Sequence, residues 1–276
     1  SPWNLPLYLL TWKIAPALAA GNTVVAKPSE ITPMTAFLLS KICQKIKFPE
    51  GVLNIVHGYG NKAGDALSRH CDVPIISFTG GTVTGEKIAS VAAPMLKKLS
   101  LELGGKNPNI VFEDADFDNA VEMSVKAAFS NQGQICLCGS RLFVQESIYE
   151  KFKSALIAKS QTLVVGDPTD KNSNLGSIVS KAHMEKILLC IKRAIGEGGK
   201  IITGGNRIIL QGDLAGGYYI EPTIIDGLSA SCKTNQEEIF GPVVSIIPFK
   251  SEEEVIEMAN STKYGLSASI FTKDVS

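Results

Sequence analysis

The sequence predicts an α/β protein, with a doubly wound parallel sheet over residues 1–104 and a second α/β unit over residues 105–276. Three observations carry this. Short apolar runs rich in valine and isoleucine alternate with segments of helical apolar spacing, as in parallel sheets whose crossovers are helices. Several strand-to-helix junctions bear glycines, as such tight turns require. The alternation restarts after Gly104 and Gly105, a pair that suits a boundary. With 276 residues, 45% of them hydrophobic and 20% charged, the chain can fill two domains.

The elements follow in order. The run LPLYLLTWKIAPALAAGNTVVA (Leu5 to Ala26) is long enough to raise the question of a membrane span. Lys13, two prolines and the Gly21–Asn22 turn instead divide it into a buried helix and a core strand, NTVVAK. Next come a helix in PMTAFLLSKICQKI, a strand in VLNIVHG, a short helix in KAGDALSRH and a strand in VPIISFTG. GEKIASVAAPML is a helix, and KKLSLELGG is the last strand of the first unit. The second unit opens with strand NIVF, a helix over 118–130, strand RLFVQ and a helix from ESIYEKF. The helix KAHMEKILLCIKRAIGEGG and strands KIITGG, GYYIEPTII, VVSIIPF and LSASIF complete it. SEEEVIE reads as the acidic first turn of a further helix, capped by Ser251.

Charge and cysteine content exclude several classes. With 27 basic and 27 acidic side chains the net charge is zero, so a broad nucleic-acid surface is not expected. The six cysteines mostly stand singly in apolar segments, the pattern of reduced, buried thiols rather than of a secreted disulfide framework. A cytoplasmic setting follows. Cys136 and Cys138 form CxC with no histidine or second pair nearby in sequence, so no metal site is expected. The chain starts at Ser1 and stops shortly after an apparent strand, and reads as part of something longer.

Two stretches carry most of the chemistry. In LELGGK, Glu102 stands among leucines, and burial there would raise its pKa toward that of a useful base. In NQGQICLCGSR, Cys136 follows a glycine-bearing loop and leads into strand RLFVQ, a place from which a thiolate can act. In VVAKPSE, Lys27 and Glu30 stand at the carboxyl end of a strand. An acid there can accept hydrogen bonds from adenosine ribose hydroxyls and repel a 2′-phosphate, favouring NAD over NADP. An ordinary charged helix entry is the competing account. No GxGxxG occurs; HGYGNKAG and FTGGTVTGE each offer a strand, a glycine turn and a helix. Either suits an anion, and either suits a tight turn with no ligand.

PWN, KPSE, FTG, LELGGK, NQGQIC with GSR, and EEIFGP together resemble the aldehyde dehydrogenase superfamily, in family order and over essentially the whole chain. The resemblance implies an aldehyde dehydrogenase-like fold: residues 1–104 as an NAD-binding domain lacking its opening, and 105–276 as a catalytic domain lacking its close. It implies oxidation of a small-molecule aldehyde with NAD. Cys136 is then similar to the nucleophile, Asn4 to a donor to the oxyanion, and Glu102 to the base that activates water. Lys27 and Glu30 resemble adenosine-ribose contacts, and Glu238 and Phe240 resemble contacts to the nicotinamide ribose and ring. Trp3, Gly80 and Gly81 join the cofactor residues, and Lys13 lies where the family often has a lysine near the active site. Members that acylate coenzyme A typically lack the glutamate, so Glu102 implies hydrolysis to the free acid. Cys138 reads as a bystander, with a Cys136–Cys138 redox pair as the alternative.

There is one departure inside the motifs: Gly81 stands where the family usually has serine, which removes a hydroxyl from the pyrophosphate site. The stretches GQICLC, LSLELGGKNP and SKAHMEKI resemble those of the muconic semialdehyde branch of the family, which implies a substrate such as 2-aminomuconate 6-semialdehyde of the kynurenine route. Betaine or generic aliphatic aldehydes form the rival class. A homo-oligomer is expected for the full-length protein, with no nucleic-acid or membrane partner. An inactive truncated member, or a structural use of the fold, is the non-catalytic alternative.

Overall fold

The computed structural model describes residues 1–274, and these divide into two compact units meeting at Gly104 and Gly105. In the first unit α1 (Pro6–Ala19) precedes β1 (Val24–Ala26), α2 (Met34–Lys45) and β2 (Leu53–Ile55). Then come α3 (Asp65–Arg69), β3 (Ile75–Thr79), α4 (Thr82–Ala92) and β4 (Lys98–Glu102). Strands β1 and β2 pair in parallel, as do β3 and β4. Helices α2 and α4 provide the respective crossovers, because parallel neighbours cannot be joined by a tight hairpin. The described strands of this unit form two separate pairs rather than one continuous sheet.

Helix α1 differs from the buried helix expected. Leu10 and Ile14, one turn apart, pack with Ala26 and Ala36, while Leu7, Tyr8 and Trp12 are exposed. Only one stripe of the helix meets the unit, so apolar content alone overstated its burial. Helix α4 also begins three residues earlier than glycine spacing suggested, since Gly85 lies inside it. A Cβ there would stand 2.5 Å from Leu103 Cδ2, so the glycine answers to packing and not to a turn.

The second unit is built on a six-stranded sheet. Its elements are β5 (Pro108–Val111), α5 (Phe117–Phe129), β6 (Arg141–Gln145), α6 (Tyr149–Gln161), α7 (Lys181–Gly196) and β7 (Lys200–Thr203). A small hairpin of β8 (Arg207–Ile208) and β9 (Tyr219–Ile220) follows. Then come β10 (Thr223–Asp226), α8 (Lys233–Gln236), β11 (Val243–Phe249), α9 (Glu252–Asn260) and β12 (Ser269–Phe271). The order across the sheet is β12-β5-β6-β11-β10-β7, all parallel except β7. The expected strand GYYIEPTII is two strands, broken at Glu221 and Pro222.

Alternation along the strands covers both faces, as a parallel sheet requires. Leu142, Val144, Val244 and Ile246 pack with α5 and α6. Phe143, Ile247 and Phe249 pack with Val255 of α9, and Ile225 and Val243 pack with α7. Ser251 caps α9 by accepting from the Glu254 amide at 3.3 Å, as expected. At the other end of α9 the buried Arg141 guanidinium donates to the carbonyls of Met258 (2.9 Å) and Ala259 (2.7 Å), and to that of Lys106 (2.8 Å). A cation at a helix carboxyl end meets both the dipole and the unpaired carbonyls.

No helix among the described residues is long and apolar enough to cross a membrane. The six cysteines are free thiols. Only Cys190 is buried and Cys71 is exposed, so apolar neighbours in sequence did not translate into buried thiols.

Candidate active site

In the first unit the candidate residues follow strand ends and turns. Trp3 and Asn4 are half-buried in the turn entering α1, where the Trp3 carbonyl accepts from Thr32 Oγ1 at 3.3 Å. Lys27 follows β1, and its ammonium donates to the carbonyls of Pro28 (2.7 Å) and Gly58 (2.8 Å) and to the Glu30 carboxylate (3.2 Å). The other Glu30 oxygen accepts from the Gly60 amide at 3.4 Å. Burial opposes ionisation of Glu30, but its own amide, Lys27 and Gly60 together hold its carboxyl below the ordinary range. Lys27 therefore ties the end of β1 to the turn after β2 and keeps Glu30 charged.

Gly80 follows β3 and donates its amide to the Glu102 carbonyl at 3.0 Å. A Cβ at Gly80 would lie 2.5 Å from the Phe78 ring. Gly81 is the N-cap of α4, with extended φ and ψ and nothing within 4 Å of where a Cβ would stand.

Glu102 closes β4, and it is exposed rather than buried among leucines. Successive side chains of a strand point to opposite faces, so Lys98, Ser100 and Glu102 share the open face while Leu99 and Leu101 turn inward. Its apolar neighbours in sequence are thus not its neighbours in space. Lys13 of α1 donates to Ser77 Oγ on β3 at 3.0 Å. Burial lowers the Lys13 pKa, and the charge of Glu102 works in the opposite direction, so acid and amine lie within electrostatic reach.

In the second unit Cys136 is set by a strained loop. After α5 the backbone runs through three left-handed residues, Asn131 (φ 49°), Gln132 (φ 55°) and Gly133 (φ 66°). A non-glycine residue in this region costs roughly 1–2 kcal/mol, so the surroundings must impose it. They do so in three ways. The Gln134 amide donates to the Asn131 carbonyl at 3.0 Å, and buried Gln134 accepts from the Val179 amide at 3.1 Å. Gly133 abuts Gly241 so closely that a Cβ would be 2.0 Å from the Gly241 carbonyl oxygen.

The chain then makes a four-residue turn, with the Cys138 amide donating to the Ile135 carbonyl at 3.1 Å and Cys136 at the first corner. The Cys138 sulfur lies 4.0 Å from the Ser130 carbonyl, and burial pushes its thiol up to about 11. Under this turn lies the segment 105–107. Buried Asn107 donates to the carbonyls of Cys136 (2.7 Å) and Cys138 (3.0 Å). The Gly105 amide donates to Glu238 Oε1 at 3.1 Å.

A narrow cavity lined by Gly105, Gly133, Cys138, Glu238 and Phe240 joins the loop to the EEIFGP segment. Burial raises the Glu238 pKa against the pull of the Gly105 amide, Lys186 and Lys106. Lys106 is itself buried, and burial followed by repulsion from Arg141 brings it down to about 8. Phe240 has a left-handed backbone (φ 60°), and its carbonyl accepts from His183 Nε2 at 2.7 Å. His183 stands in the first turn of α7, where its amide donates to the Ser180 cap at 3.2 Å.

Asn107, Gln134 and His183 were not singled out from sequence. The one signal available for the first two was position, since Asn107 directly follows LELGGK and Gln134 lies two residues before Cys136.

Two successive α/β units, the second built on a largely parallel sheet, agree with the fold that the family resemblance implies. The chain belongs to the aldehyde dehydrogenase family, which it matches over residues 1–276. It is 51% identical to the 2-aminomuconic semialdehyde dehydrogenase of Homo sapiens and 48% identical to the 2-hydroxymuconic semialdehyde dehydrogenase of Pseudomonas sp. (strain CF600). In each case all of this chain aligns, and it spans 57% of the relative's length. Among solved structures, betaine aldehyde dehydrogenase of Staphylococcus aureus in complex with NAD+ is similar to it with a TM-score of 0.96 and 43% identity. That match covers 99% of this chain and 54% of the other.

Proposed function

We propose that this chain carries the nucleophile, the base and cofactor contacts of an NAD-dependent, non-acylating oxidation of an aldehyde to a carboxylic acid. The observation that carries the reading is the loop that holds Cys136 at a turn corner while burial keeps Cys138 protonated, in a chain of this family.

The residues fit NAD on two counts. Glu30 is kept ionised, so it offers a carboxylate to ribose hydroxyls and repels a 2′-phosphate. Gly81 puts no side chain over the first-turn amides of α4, a setting that suits a pyrophosphate. In this reading Trp3, Lys27, Glu30, Gly80 and Gly81 hold the adenosine and phosphate portion, and Glu238 and Phe240 hold the nicotinamide portion. NAD held there would accept the hydride that leaves the carbon bound to Cys136, which stays on sulfur as a thioester.

The Cys136 thiolate attacks the aldehyde carbon, forming the S–C bond as the carbonyl electron pair moves to oxygen. The Asn4 side chain and the Cys136 amide stabilise that oxyanion. Glu102 then takes a proton from water. The resulting hydroxide equivalent attacks the thioester carbon, and cleavage of the C–S bond returns the thiolate and releases the acid.

Substituting Glu102→Gln tests the base directly. It is expected to leave a first burst of NADH and to lower the steady rate by about 10²–10⁴-fold, measured by stopped-flow absorbance. Full steady turnover would overturn the assignment. Gly81→Ser should add a cap to α4 without strain, because the site already has extended backbone and free space. The expected result is a gain of a few tenths of a kcal/mol in stability by thermal melting. NAD should bind up to about tenfold more tightly by titration, the size of one added hydrogen bond.

For the substrate we infer a muconic-type semialdehyde such as 2-aminomuconate 6-semialdehyde, supported by what the relatives are named for. The second reading, betaine or an aliphatic aldehyde, draws on the structural neighbour. The ratio of kcat/KM values across a panel of these aldehydes separates the two. A homo-oligomer at full length, acting in the cytoplasm on a small-molecule substrate, completes the reading. An inactive member would fail to be stabilised by NAD in a thermal melt.

A further inference from the structure

We propose that Asn107 is a positioning residue for the nucleophile, its carboxamide clamping the turn that carries Cys136. The inference rests on the reading of Cys136 as nucleophile and adds to it a group that does not touch substrate.

The geometry is specific. Asn107 is 3% exposed, and its single NH2 group spans two carbonyls of the same turn, that of Cys136 at 2.7 Å and that of Cys138 at 3.0 Å. A carboxamide NH2 has two donor hydrogens, so both are used here on the turn. Its oxygen accepts from the Ser267 amide at 3.2 Å, and its own backbone carbonyl accepts from the Arg141 amide at 3.3 Å. The clamp is therefore anchored at the start of β6 and ahead of β12, and it does not move with the loop.

Gly105 completes the seat. A Cβ at that position would stand 2.6 Å from Asn107 Oδ1 and 2.9 Å from the Cys136 carbonyl oxygen. The turn thus rests directly on segment 105–107 with no side chain between. The plane after Cys136 is held by Asn107 and the plane before it by the Cys138 amide on the Ile135 carbonyl, so the Cα–Cβ direction of Cys136 is fixed as well. The left-handed run at 131–133 would otherwise favour relaxation of this loop.

The test compares Asn107→Ala, Asn107→Asp and Asn107→Ser in the full-length protein, with the NADH burst read by stopped flow. Burst amplitude counts competent sites, and burst rate reports acylation of each site. Asn107→Asp keeps an acceptor for the Ser267 amide while placing oxygen against the two carbonyls. The alanine and aspartate variants are expected to slow acylation per site by about 10²-fold, the size of a misplacement near 1 Å, with KM for NAD within about twofold. Asn107→Ser keeps one donor and should recover part of the rate. It carries the test if the alanine variant does not fold.

A purely structural role would lower melting temperature and burst amplitude but leave the burst rate per site unchanged, and that result overturns the proposal. Iodoacetamide labelling of the unsubstituted protein, mapped to Cys136, separates the two layers of the argument. Turnover surviving complete labelling would overturn the nucleophile reading itself. Loss of turnover on labelling, together with an unchanged burst rate in Asn107→Ala, would overturn the clamp alone.

Discussion

Cys136→Ala is expected to abolish NADH formation in the full-length protein while leaving its melting temperature nearly unchanged. The two halves of this result have separate grounds. The substitution changes a half-buried side chain and leaves in place the backbone hydrogen bonds of the turn, which is held by main-chain groups and Asn107. Stability is then little affected. Catalysis has no substitute thiol to fall back on. Cys138 is two residues away, but its sulfur lies by the Ser130 carbonyl and burial holds its thiol up at about 11. At neutral pH the thiolate fraction of such a group is about one in ten thousand, since only the thiolate attacks. Residual turnover through Cys138 should therefore be small. The matching control, Cys138→Ser, should retain activity within a few-fold. A Cys136→Ala variant keeping more than about a hundredth of the rate would sink the assignment, since a covalent route lost should cost far more.

Arg141→Met should be the most destabilising of the substitutions considered, and through structure alone. The guanidinium is buried, it stacks 5.4 Å from the Phe143 ring, and it serves three carbonyls on two segments. Burial brings its pKa down to about 10, so it stays charged at neutrality. Methionine restores much of the volume but leaves the carbonyls of Lys106, Met258 and Ala259 without their donor. Hydrogen bonds to a charged group contribute about 1.5–3 kcal/mol each, and some carbonyls will regain water, so a loss of at least 3 kcal/mol is expected. Melting should fall by about 6–12 °C for a unit of this size. Arg141→Lys should rescue little of this, because one ammonium cannot reach three acceptors set out for a planar fork. If the lysine variant melted with the parent, the geometry described would carry no weight.

How much of this was legible in the sequence varies with the range of the interaction. RLFVQ and VVSIIPF are observed as strands over the same residues, because strands covered on both faces read as unbroken apolar runs. The Ser251 cap is visible for a similar reason: its partner is three residues away. Helix starts were harder. Gly85 reads as a turn but lies inside α4, and its reason is the distant Leu103. Glu102 was placed in an apolar setting by its neighbours in sequence, whereas strand alternation sends those leucines to the other face. The clamp from Asn107, the latch from Gln134 to Val179 and the bond from His183 to Phe240 join residues 29 to 57 positions apart. No local pattern encodes such pairs, so only the fold reveals them.

The last strand of the sheet bears on how the chain matures. Strand β12 lies beside β5, and Ser267 and Ser269 bond to Asn107 and Asn109, partners 160 positions earlier. A growing polypeptide leaves the ribosome at about 5–20 residues per second, so for several seconds or more the cysteine loop exists before its anchor is complete. Throughout that interval β5 presents a free edge and Asn107 lacks one of its ties. Cys136 is thus made early and seated late, which gives nascent chains a window of exposure to oxidants and to misplaced strands that the finished protein does not share.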